Sequence, residues 1–68
     1  ASAFPKGLQE LGLVGCGIGD AGGSALLQWA SQAPALKMLC IEENLFSDEL
    51  KRKFHKLSKQ RPAMILVV

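Results

Sequence analysis

The pattern of this chain returns after 28 residues, and that period constrains its fold more than any other property. Leu8 returns as Leu36 and then Met64, Leu11 as Leu39 and then Val67, and Leu13 as Ile41. Cys16 matches Asn44, Ile18 matches Phe46, Asp20 matches Asp48, and Pro34 matches Pro62. Leu26 and Trp29 fall opposite Phe54 and Leu57. No gap is needed anywhere. A chain that is 49% hydrophobic produces some apolar coincidences by chance, but chance does not readily align the aspartates and prolines as well. A period of this length means stacked supersecondary units, each covering its neighbours.

Each period has the same local grammar. Leu8-x-x-Leu11-x-Leu13 alternates at its end as a short strand does. Gly15, Gly17 and Gly19 mark a turn, and Asp20 is a suitable N-cap for a helix over about 21–32. Leu26, Trp29 and Ala30 share one face of that helix, and Pro34, which lacks a backbone N–H, closes it. The second copy repeats this with Leu36, Leu39 and Ile41, a turn through Asn44, and Ser47-Asp48 as the cap. Leu50, Phe54 and Leu57 then stand at i, i+4 and i+7. Pro62 ends the second helix, and a third strand starts within Met64–Val68.

Leu8-x-x-Leu11-x-Leu13-x-x-Cys16-x-Ile18 resembles the leucine-rich-repeat signature L-x-x-L-x-L-x-x-N/C-x-L. The 28-residue length and the helix after the turn are similar to the ribonuclease-inhibitor subclass, which also occurs in Ran GTPase-activating proteins and NOD-like receptor sensor arms. The resemblance implies an α/β leucine-rich-repeat solenoid fragment, with short parallel strands on the concave side and helices on the convex side. It divides the chain into the end of a preceding repeat (1–7), two repeats (8–35 and 36–63) and the strand of a further repeat (64–68). Leu8, Leu11, Leu13, Ile18 and Leu26 would point inward, and Cys16 would be a packed structural thiol. The second copy departs from the first, with Leu50 opposite Gly22 and Lys53 opposite Ala25.

Composition narrows the function. Net charge is +2, too small to imply a nucleic-acid partner, and no apolar run approaches the roughly 18 residues of a membrane span. Cys16 and Cys40 are the only cysteines, fewer than a small secreted scaffold uses, so reduced thiols and an intracellular, cytoplasmic setting are expected. His55 sits among Lys51, Arg52, Lys53 and Lys56, which disfavour a metal ion there. No cofactor or metal set is expected, and no catalytic constellation emerges; Arg52 and Arg61 match no catalytic-arginine motif.

A rival reading starts from Gly17-x-Gly19-x-x-Gly22, which fits the dinucleotide fingerprint G-x-G-x-x-G. It would make the chain a Rossmann-type nucleotide-binding fragment, with pyrophosphate at the start of the first helix. Asp20 lies inside the motif and opposes a phosphate there. Asp48 repeats that aspartate at a turn without the glycines, and Glu42 and Glu43 lie beyond the usual offset of about 20 residues for the ribose-binding acid.

Protein binding is therefore the leading expectation, through the outward strand positions Glu10, Gly12, Val14, Met38, Cys40 and Glu42. The second helix, with Lys51, Arg52, Lys53, Lys56 and Lys59 followed by Arg61, is a second charged surface, read as a solvated face because no stacking aromatic accompanies it. Met64–Val68 is wholly apolar, so self-association through strand 64–68 is expected if nothing else pairs with it.

Overall fold

The computed structural model describes residues 7–68. All but the last residue of the segment 1–7 lies outside them. Five elements follow one another: β1 (Glu10–Gly12), α1 (Asp20–Ser31), β2 (Met38–Cys40), α2 (Asp48–Gln60) and β3 (Ile65–Val67). The strands form one parallel sheet in the order β1-β2-β3. This is the α/β class expected from the sequence.

The second helix forms for reasons visible within it. Ser47 is its N-cap, its side-chain oxygen accepting the N–H of Leu50 at 3.2 Å. Asp48 and Glu49 occupy the first turn and Lys59 the last, each complementing the helix dipole. Its apolar positions Leu50, Phe54 and Leu57 are buried, with Phe54 fully enclosed and its ring 5.6 Å from that of Phe46. The first helix depends more on its surroundings. Its N-cap is Gly19, which makes no side-chain cap bond, and Gly22 and Gly23 weaken its interior. Gly23 is needed for packing: a Cβ there would lie 2.5 Å from Phe46 and 2.6 Å from Leu50. At the other end, the Arg61 guanidinium donates to the carbonyls of Ala30, Ala33 and Leu36 at 2.6, 2.7 and 3.1 Å. A side chain from beyond α2 thus adds a second partner to the carbonyls of Ala30 and Ala33, which already accept backbone N–H groups, and ties the end of α1 to the connection that follows it.

Four expectations need correction. Asp20 is not a cap; it is the first residue of α1, and its carboxylate accepts the backbone N–H of Ser47 at 2.8 Å. Cys16 is exposed rather than packed, because it lies in the turn after an edge strand that no described residue covers. For the same reason Leu8, Leu11, Leu13 and Ile18 are only half-buried, while Leu26 is buried. The period also slips. Leu11 pairs with Leu39 at a separation of 28, but Leu39 pairs with Leu66, a separation of 27, so Val67 is not its equivalent. The helix of the second unit is one residue longer, 13 against 12, and its connection to the next strand is two residues shorter. Lys37 is the residue without a counterpart: its N–H and that of Met38 both donate to the carbonyl of Gln9.

The core lies between the sheet and the helices, with Leu39 and Ile41 as its largest fully buried sheet-side residues. Leu11, Leu39 and Leu66 point into it. Because side chains alternate along a strand, the residues on either side of each point the other way.

Candidate functional site

That alternation builds the open face of the sheet. Glu10, Met38 and Ile65 form one row across the three strands, and Gly12, Cys40 and Val67 form the next. Neighbours within a row are about 4.8 Å apart. Backbone pairing continues past the strands through Leu13 N–H to Cys40 and Gly15 N–H to Glu42, which places Val14 and Glu42 at the end of the same surface. All six residues expected at a partner site therefore share one face of the sheet. Glu10, Gly12 and Val14 are exposed; Met38, Cys40 and Glu42 are half-buried. Ile65 and Val67, 55% and 38% exposed, complete the face and were not anticipated. In the unbroken run Met64–Val68 every residue is apolar, so no alternation marks which side chains point out. Only the register decides.

The face has a definite chemistry. Its centre is apolar and soft, from Met38, Cys40, Ile65, Val67 and Val14, and glutamates stand at two of its corners. A Cβ built on Gly12 meets no heavy atom within 4 Å, so the surface is recessed and unobstructed there. A rigid, partly apolar surface with carboxylates at its border can take an apolar side chain and flanking cations.

The turns above the strands are held by one residue. The Asn44 side-chain oxygen accepts the N–H groups of Cys16 and Ile18, both at 3.1 Å. Its amide donates to the carbonyls of Leu13 and Ile41 at 2.8 Å, with a longer contact to Glu42 at 3.4 Å. Donors and acceptors match an amide in one orientation only, which fixes its placement. Cys16, at the equivalent position of the first turn, offers only a thiol 3.7 Å from the carbonyl of Val14.

The glycine-rich turn has the backbone that its glycines permit: Gly15 and Gly17 are left-handed, with φ of 64° and 70°. The first turn of α1 carries the Asp20 carboxylate. The Ser47 hydroxyl and then its backbone N–H hold that carboxyl below its ordinary value of 3.8, with a smaller contribution from Lys53. Ser47 thus links the turns, bonding Asp20 of α1 while capping α2.

On the helical side Arg52, Lys53, His55, Lys56 and Lys59 are exposed. Among the described residues no three or more His, Cys, Asp or Glu side chains gather as a metal site would need, and no helix is long and apolar enough to cross a membrane. Neither known protein-family models nor curated proteins give a match to this chain.

Proposed function

We propose that 8–35 and 36–63 are leucine-rich repeats of the ribonuclease-inhibitor type, with 64–68 beginning another, and that the open face of their sheet binds a protein partner inside the cell. The observation that carries this reading is Asn44. Its amide stands at the N/C position of the signature and bonds the backbone of its own turn and of the turn 28 residues earlier. A stack of similar units needs such a link, because each turn would otherwise leave N–H and C=O groups, some of them part-buried, without protein partners. The mixed apolar and acidic character of the open face supports protein as the ligand.

The sheet order alone also suits a nucleotide-binding half, in which successive parallel strands are joined by helices. Two details favour the repeat reading. Each strand has three residues, short for a doubly wound sheet. The Asp20 carboxylate, bonded to the N–H of Ser47, puts a negative charge at the helix start where a pyrophosphate would sit.

A photoreactive residue at Met38, introduced in cells that make the parent protein, tests the partner face. The expected result is one discrete protein adduct, lost with Glu42→Lys or Gly12→Phe and kept with Lys53→Glu. An adduct equally sensitive to Lys53→Glu would move the site to the helices. Titration calorimetry with NAD, FAD and ATP should be flat; saturable one-to-one binding would instead make the glycine turn a nucleotide site.

A further inference from the structure

The helices form a second surface, independent of the sheet face. Side by side, α1 and α2 leave a groove of about 350 Å³ on their outer side. It is small but within the range of ligand clefts. Its walls are two stripes with the same i, i+3, i+4, i+7 spacing, one running from Ser24 to Ser31 and the other from Lys53 to Gln60. Each stripe is about 10 Å long. Leu27 and Leu57 supply its apolar floor, Leu57 being buried and Leu27 half-buried. The rims are not alike. The α1 rim is uncharged, formed by Ser24, Gln28 and Ser31, whereas the α2 rim carries Lys53 and Lys56. Lys53 adds to the field at Asp20, yet no carboxylate among the described residues forms an ion pair with either lysine.

We infer that this groove receives an amphipathic helix of a partner protein, with an apolar ridge on Leu27 and Leu57 and carboxylates along the border facing Lys53 and Lys56. Parallel helical stripes around an apolar floor are what a third helix packs into by ridges and grooves. The one-sided charge decides which flank of that helix faces α2 and selects acidic sequences there. Nucleic acid fits less well, because base stacking needs aromatic rings and none lines the groove: Phe46 and Phe54 are both in the core, and the half-buried Trp29 lies outside the lining. An anionic membrane also fits less well: insertion needs apolar side chains that protrude, and Leu57 is recessed.

The probe is a synthetic amphipathic helix of about 16 residues with a leucine stripe bordered by glutamates, titrated into the isotope-labelled 68-residue chain. Amide shifts should fall within 24–31 and 53–60, leaving the open face of the sheet unchanged. Combining Lys53→Glu with Lys56→Glu should weaken binding at least about tenfold, and a lysine-bordered peptide should restore it to that variant. The control pair Arg52→Glu and Lys59→Glu, outside the groove, should change affinity less than about twofold. The inference fails if the peptide causes no shifts at millimolar concentration, if the control pair loses as much, or if the lysine-bordered peptide does not rescue. It also fails if phosphatidylserine vesicles or a single-stranded oligonucleotide bind the same stripes more tightly.

Discussion

The turn after β1 and the turn after β2 are held by different means. The first uses backbone freedom: Gly15 and Gly17 take left-handed φ at little cost, and the side chain at its centre, Cys16, contributes almost nothing. The second uses side chains. Asn44 bonds five backbone groups, Phe46 seals the loop against the core, and Glu43 accepts a left-handed φ of 60° at the position equivalent to Gly15. The difference shows which turn holds the other. The flexible first turn is fixed by the amide of the second, so the second can keep a strained residue while the first cannot supply its own partners.

Removing that amide should have the largest effect. Asn44→Ala leaves two N–H groups and two or three carbonyls short of partners and should cost about 2–4 kcal/mol. Urea unfolding measures the loss, and amide exchange at Cys16 and Ile18 should accelerate first. Cys16→Ala should stay within about 0.5 kcal/mol. Equal losses from the two substitutions would erase the contrast between the turns.

A smaller effect of opposite sign is expected at Glu43. Relief of its left-handed backbone should outweigh the added freedom of the unfolded chain, so Glu43→Gly should stabilise by about 0.5–1 kcal/mol. A loss in the same urea experiment would mean that the Glu43 side chain matters more than its φ.

The subtlest effect is the link between the turns in acid. Bonding to Ser47 lowers the Asp20 pKa, so its contribution is complete above the ordinary value of 3.8 and disappears as the pH falls through the depressed folded value. Asp20→Asn should therefore flatten the part of the stability–pH curve that lies below about pH 4. Parallel curves for the two proteins would show that Ser47 does not discriminate the charged form.

Much of this fold was legible in the sequence because local chemistry determined it. The two helices start 28 residues apart, as the aligned aspartates indicated, and Ser47 caps where the pattern placed a cap. Three features depend on partners far along the chain, and no local pattern encodes them. Asp20 has the composition of a cap, yet its partner is 27 residues away. Arg61 looked like one more surface cation, but it closes the end of α1. Ile65 and Val67 belong to the candidate site only because one residue at Lys37 has no counterpart in the next unit, a difference set by helix and connection lengths rather than by any motif. The groove between the helices has no signature in the sequence, because each of its two stripes is ordinary taken singly.

Asn44 and Arg61 also impose an order in time. Both reach back to carbonyls made as many as 31 residues before them. On a ribosome adding about 5–20 residues per second, that interval is roughly 1.5–6 s. Throughout it the turn around Cys16 and the end of α1 exist as chain without the groups that complete them. The turn around Cys16 and the end of α1 therefore mature only when Asn44 and Arg61 emerge, however well β1 and α1 have formed by then, and translational pausing within 45–61 would prolong the unfinished state.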